Sequence, residues 1–182
     1  LTALIMDEIR RKPACSVQAI REIVWSRGAT LRSRHLVWPL ILGYLPPDTS
    51  LWESTLRKKR EEYRELIRVW YTSTLDVIRK AGEYERKTGN KMYVDEDLGL
   101  LHQIKVDINR TRPVGFSHMF THSPIPEMLN RLLITWSKAH PKVGYFQGLN
   151  EIPTPLILVF LMPRLKNWEN NEENLSALTE QD

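Results

Sequence analysis

The chain has 182 residues, 42% of them apolar and 26% charged, with only 8 glycines but 6 tryptophans. That suits one domain or one large lobe of packed helices rather than a turn-rich sheet. A formal charge of +4 is mild, and the basic run Arg57-Lys58-Lys59-Arg60 leads straight into Glu61-Glu62, which is the pattern of a solvated helix face and not of a nucleic-acid stripe. Cys15 is the single cysteine, which excludes an internal disulfide and fits a reducing compartment. The longest apolar run, 156–162, is far too short to span a bilayer. The chain opens on Leu1, so we read it as a fragment.

The predicted elements are helices from start to end. Apolar residues Val17, Ile20, Ile23 and Val24 recur at helical spacing over 17–26, with Ser16 as N-cap and Gly28 as stop. A second helix is expected over 31–42, closed by Gly43, with Pro39 bending or splitting it. After the Pro46-Pro47-Asp48 turn, Ser50 and Glu53 stand at capping-box spacing. Trp52, Leu56, Tyr63, Leu66, Ile67, Trp70 and Ile78 then form a core stripe that predicts a long helix to about Ala81.

The polar residues 82–90 read as a loop, and 96–108 as a shorter helix. Residues 110–123 contain Pro113 and Gly115 and are expected to be irregular. Over 126–139, Met128, Leu129, Leu132, Leu133 and Trp136 share one helical face, ended by His140-Pro141. A loop over 141–148 leads into a last apolar helix, 150–162, and from Asn167 the chain turns polar and acidic, the composition of a linker.

Several chemistries lack their residues. Neither GxxxxGK[ST] nor GxGxxG occurs, so the chain is not expected to bind nucleotide by itself. There is no GxSxG elbow. His118 and His122 stand at i,i+4 spacing, but Met119 occupies the place of a zinc protease's glutamate and no paired cysteines assist; they read as ordinary polar histidines, and no metal site is expected. Nothing near Cys15 would lower its pKa, so it reads as structural.

Two short segments carry more. Ile104, Asp107 and Arg110 form an IxxDxxR pattern, with Thr111 and Pro113 trailing it. Thirty-seven residues after Arg110 comes Gln147, inside Gly144-Tyr145-Phe146-Gln147-Gly148-Leu149-Asn150. In this order and separation the two segments resemble the paired IxxDxxR and YxQG motifs of TBC-domain Rab GTPase-activating proteins. Gly28, Arg34, Trp38 and Gly43 fall where that family has its opening segment, with Ala29-Thr30 in place of Ile-Pro. The stretches Gly43-Tyr44-Leu45-Pro46 and Glu53-Ser54-Thr55-Leu56 are most similar to the Golgi-associated TBC22-type subgroup.

The resemblance implies an all-α, multi-helix TBC-type lobe without a sheet. Residues 1–166 would be the N-terminal lobe, and 167–182 an acidic linker toward a second lobe. It implies that Arg110 is an arginine finger and Gln147 a glutamine finger, both offered to a Rab-family small GTPase. The chain would need no cofactor of its own and would act on Rab-bound GTP and Mg²⁺. Asp107 would orient Arg110 from one helical turn away. Tyr145 and Asn150 would brace the Gln147 loop or touch the GTPase, Gly144 and Gly148 would let it bend, and Arg34 and Trp38 would be structural. Vesicle trafficking, and a cytoplasmic protein peripheral on Golgi or endosomal membranes, belong to the same implication. The alternative is a non-catalytic, effector-like Rab-binding helical module. Such modules commonly lack one finger, and both are present here.

Overall fold

The computed structural model describes residues 2–92, 94–122 and 124–161, leaving aside the side chains of Leu31, Arg32 and His122. The expected linker over 167–182 and the end of the last helix at Met162 lie outside these residues. Among the described residues every regular element is helical and none is a strand. They divide into two compact units, 2–62 with 157–161, and 63–156.

The first unit begins with a helix the sequence does not announce, α1 (Thr2–Ile9). Ile5 and Ile9, one turn apart, are both buried, and the buried Glu8 carboxylate accepts from the Ser16 amide at 3.1 Å and from Arg11 Nε at 3.0 Å. That contact closes the loop into α2 (Val17–Arg27), where the Ser16 hydroxyl caps the Ala19 amide at 3.1 Å and Gly28 ends the helix at φ 78°. The core joins Ile5, Ile9, Cys15, Ile20, Val37, Leu40 and Leu45, with Trp38, Trp52 and Leu56 packed against it. Each fully buried aliphatic side chain here contributes about 1.5–3 kcal/mol relative to an exposed one.

Helix α3 (Leu31–Ile41) runs through Pro39 without a break, so of the expected bend or split the split does not occur. Pro39 sits in the last turn, so its missing N–H forfeits a single intrahelical bond. Its carbonyl then accepts from the Tyr44 and Leu45 amides at 2.7 and 3.0 Å, reversing the chain.

The capping box also needs correction. Asp48, not Ser50, caps the next start, its Oδ1 accepting from the Ser50 amide at 2.9 Å and the Ser50 hydroxyl at 2.6 Å. Those bonds hold the Asp48 carboxyl below its ordinary pKa. Glu53 instead pairs with Arg57 one turn on, within α4 (Trp52–Leu66).

Helical backbone continues past the predicted end, but not as one regular helix. A π-helical segment, Ile67–Thr72, interrupts it before α5 (Ser73–Thr88). A π turn slips the 3.6-residue register, so a stripe read at constant period misassigns residues. Leu66 is exposed, while Thr74 and Ala81 are buried. The expected loop over 82–90 is helical to Thr88 and ends at Gly89 in a left-handed C-cap.

The second unit holds the two motif segments. Helix α6 (Asp95–Arg110) packs on α8 (Ile125–Ala139), which also packs on the π-helical segment and on the short α7 (Met119–His122). Ile104, Ile108, Phe120, Ile125, Leu129, Leu133 and Ile134 are among its buried side chains. Lys138 Nζ bonds Asp97 Oδ1 at 2.6 Å, tying the end of α8 to the start of α6. A 3-10 turn, Leu149–Glu151, packs on both helices and leads into α9 (Pro153–Leu161). The region over 111–118 is irregular, as Pro113 and Gly115 predict, before α7 interrupts it.

Candidate functional site

Arg110 is the last residue of α6, where a cation complements the partial negative charge of a helix C-terminus. Three residues earlier, Asp107 lies on the same face and is buried. Its Oδ1 accepts from Arg110 Nη2 at 2.7 Å, with the arginine side chain half exposed and the carboxylate nearly inaccessible. A charge-assisted bond to a fixed, buried partner removes much of the rotamer freedom of an arginine at the surface. The guanidinium is therefore held at the root and open to solvent at its face.

The other oxygen of Asp107 turns toward the second segment. Tyr145 donates its hydroxyl proton to Asp107 Oδ2 at 2.7 Å, across 38 residues of sequence. Burial, followed by the hydrogen bond and charge of Asp107, pushes the Tyr145 phenol well above its ordinary pKa. The phenol stays protonated and remains a donor. Two residues on, Gln147 is exposed, its carboxamide facing the guanidinium. Only the orientation that points the amide oxygen at Arg110 avoids setting donor against donor; that oxygen then accepts from Nη2 at 2.7 Å and Nη1 at 3.1 Å.

Glycines shape this segment at both ends. Gly144 has φ 65° and Gly148 φ 96°, a region that side-chain-bearing residues rarely enter. A Cβ at either would meet nothing within 4 Å, so the requirement is conformational and not one of space. Gly148 opens the 3-10 turn, whose Asn150 is buried and donates from Nδ2 to Thr111 Oγ1 at 2.9 Å and to Glu151 Oε1 at 3.0 Å.

Arg110, Gln147, Asp107, Tyr145, Gly148 and Asn150 thus fall in one cluster on the second unit. Arg34 and Trp38 belong to the first. There Arg34 Nε bonds the Ala29 carbonyl at 3.2 Å at the entry to α3, and Trp38 packs on the core. Sequence reasoning assigned no part to Thr111 or Glu151. The only signal for Thr111 was its place in the tail of the first motif. Val114, Val143, Phe146 and Ile152, near the pair in sequence, are exposed. Among the described residues no group of three or more histidine, cysteine or acidic residues could hold a metal ion.

The family model described as the Rab-GTPase-TBC domain matches residues 31–171. The chain is 31% identical over 153 residues to the GTPase-activating protein GYP1 of Saccharomyces cerevisiae, covering 84% of this chain and 21% of that protein. It is 33% identical over 142 residues to TBC1 domain family member 22B of Homo sapiens, covering 78% of this chain and 24% of the relative. The chain therefore spans about a quarter or less of the length of these relatives. Among solved structures it superposes on the Ypt/Rab-GAP domain of Gyp1p with a TM-score of 0.69 and 28% identity, covering 91% of this chain and 44% of that one. The matched region includes both motif segments and most of the helices, and on that evidence the chain belongs to the Rab-GTPase-TBC domain family.

Proposed function

We propose that this chain carries the catalytic groups of a GTPase-activating protein for a Rab-family small GTPase, with Arg110 and Gln147 acting in trans on the partner's GTP. The observation that supports it is the pairing of an exposed guanidinium and an exposed carboxamide at 2.7 Å, the arginine held by Asp107 and the glutamine two residues from Tyr145, which bonds the same carboxylate.

GTP hydrolysis builds negative charge on the β–γ bridging and γ-phosphate oxygens and needs a water held in line. Arg110 would donate to that charge from a planar, permanently cationic fork. Gln147 would accept from the attacking water and donate onward, since a carboxamide does both. Asp107 would keep the guanidinium aimed, so little reorganisation is left for the moment of reaction. GTP and Mg²⁺ belong to the partner, and the chain supplies no cofactor of its own. The exposed Val143, Phe146 and Ile152, near Gln147 in sequence, suit contact with a protein surface.

The same reading takes 1–166 as the N-terminal lobe of the domain, with 167–182 linking it to a second lobe. It also places the activity in vesicle trafficking, on the cytoplasmic face of Golgi or endosomal membranes, reached through the partner. No helix among the described residues is long and apolar enough to cross a membrane.

The test is phosphate release from a panel of GTP-loaded Rab proteins with the full-length protein and its variants. Stimulation of about 10³–10⁵-fold is expected for a cognate partner, as for arginine fingers supplied in trans. Arg110→Ala should abolish it with helicity unchanged, and Gln147→Ala should impair it even when the partner keeps its own glutamine. Undiminished turnover by Arg110→Ala would overturn the mechanism. Binding to GTP-loaded Rab without any acceleration would favour the effector-like module.

A further inference from the structure

We propose that Thr111 is a positioning residue: its buried hydrogen bond to Asn150 fixes the separation of Arg110 and Gln147, and so sets the maximal rate rather than partner affinity. This rests on the reading of those two residues as the pair that meets the partner's nucleotide.

Thr111 is the first residue beyond α6, directly after Arg110, and is 1% exposed. Its hydroxyl proton goes to the Asp107 carbonyl at 3.0 Å, one of the last-turn carbonyls that no helix amide can reach. A hydroxyl has one proton, so with that donated its oxygen presents only lone pairs. Asn150 Nδ2 donates to it at 2.9 Å. Asn150, also 1% exposed, is anchored in turn by its own carbonyl, which accepts from the Thr154 hydroxyl at 2.9 Å. The path from the arginine's helix end to the turn behind the glutamine is therefore continuous and dry.

The amide of Asn150 cannot usefully be reversed. Both its protons are committed, to Thr111 and to Glu151, and a flip would set its oxygen against an acceptor carboxylate. The cost of this arrangement is visible in the structure, because Asn150 Oδ1 is buried and meets no hydrogen-bond donor among the described residues. Buried polar atoms are seldom left unmatched. Here the amide faces Thr111 at the expense of its own oxygen.

Among the described residues three side-chain hydrogen-bonded ties cross between the two segments. One is the Arg110–Gln147 contact, which must part when both groups turn to the nucleotide. The Tyr145–Asp107 bond precedes Gln147 by two residues, and the Thr111–Asn150 bond follows it by three. Once the pair has separated, these two bonds, with the packing of the 3-10 turn on α6 and α8, hold the glutamine at a set distance from the arginine. Misplacing a reacting group by about 1 Å can cost on the order of 100-fold in rate.

Thr111→Val keeps the shape and deletes the hydroxyl, and Thr111→Ser keeps the hydroxyl. With the full-length protein and the Rab partner it stimulates most, Thr111→Val should lower kcat by about 10–100-fold with KM within about twofold. Thr111→Ser should recover kcat to within about threefold. Affinity for the GDP–aluminium fluoride form of the partner, a transition-state mimic, should fall with kcat, while affinity for the form carrying a non-hydrolysable GTP analogue holds. Wild-type kcat in a folded Thr111→Val protein, or a change in KM alone, would overturn the proposal. If circular dichroism shows that the valine form does not fold, Thr111→Ala is judged by the same numbers. The side-chain amide resonance of Gln147, identified by its loss in Gln147→Ala, needs no partner. It should move in Thr111→Val and not in Thr111→Ser, and an unmoved resonance refutes the tether even were the activator reading itself to fail.

Discussion

Removing the hydroxyl of Tyr145 isolates one bond of the site. In Tyr145→Phe the ring keeps its place and Asp107 Oδ2, on a carboxylate whose residue is 3% exposed, loses the donor it meets at 2.7 Å. A hydrogen bond to a charged group contributes about 1.5–3 kcal/mol. Tyr145 is only half-buried, so solvent screening on its side of the bond favours the lower end, about 1.5 kcal/mol. At about 2–4 °C per kcal/mol for a chain of this size, the melting temperature should fall by about 3–6 °C. Urea denaturation should show a lower midpoint at unchanged slope.

Pairing this variant with Asp107→Asn in a double-mutant cycle should return a coupling of about 0.5–3 kcal/mol. The pH dependence follows from the raised phenol. Below the ordinary tyrosine value of 10.0 the group is protonated folded and unfolded, so its contribution is constant there. It is lost as pH climbs above 10.0 through the higher native value. A cost under about 0.5 kcal/mol together with zero coupling would show that Tyr145 merely packs beside Asp107.

Other perturbations separate structure from chemistry. Glu8→Ala strips the Ser16 amide and Arg11 of their shared buried acceptor and should cost about 1–3 kcal/mol in chemical denaturation, with stimulated hydrolysis at a permissive temperature retained. The buried Cys15 thiol, whose pKa burial raises, should react with a chromogenic disulfide far more slowly in the native protein than after unfolding; equal rates would contradict its burial. Gly99, inside α6 with open space where a Cβ would stand, should accept alanine with a gain of about 0.4–1 kcal/mol. Gly148→Ala, at φ 96°, should lose at least about 1 kcal/mol and shift the Gln147 side chain, which thermal melts and amide spectra would show.

Where local chemistry decides a feature, the sequence makes it legible. Ser16 and Gly28 bound α2 because a hydroxyl and a positive-φ glycine do that work within a few residues. Of the stripe over α8, Leu129 and Leu133 are buried while Met128, Leu132 and Trp136 are half-buried, and Ile134, outside the stripe, is buried as well. The long helical run fails as a reading at Ile67–Thr72, where the period itself changes. Helix α1 has no acidic residue in its first turn, and is held mainly by burial of Ile5 and Ile9 in a core drawn from distant residues.

At the site, the three-residue spacing of Asp107 and Arg110 is a helix property and can be read directly. The bonds from Tyr145 to Asp107 and from Asn150 to Thr111 join residues 38 and 39 apart. No local pattern encodes those, and only the family motifs suggested that the segments meet.

The resting contact between Arg110 and Gln147 bears on how such a site would be switched on. Each side chain occupies the other's hydrogen-bonding face, so neither is idle, yet both are exposed and the contact is small. An interaction between solvent-accessible groups is worth at most about 1 kcal/mol when one is neutral or screened. A γ-phosphate can outbid that for the guanidinium, since it offers charge and several acceptor oxygens at once. A water or an uncharged surface cannot. Asp107 competes too, but it holds Nη2 from the buried side and leaves the rest of the fork free. On the proposed mechanism, the carboxamide is released only when the arginine is claimed, so the water-orienting group becomes available as the anion arrives. It follows that Arg110→Lys should damage turnover more than the loss of charge geometry alone predicts. A lysine keeps the cation but not the two-pronged contact that parks Gln147. If Arg110→Lys kept near-wild-type kcat, the coupling between the two fingers would have no part in the reaction.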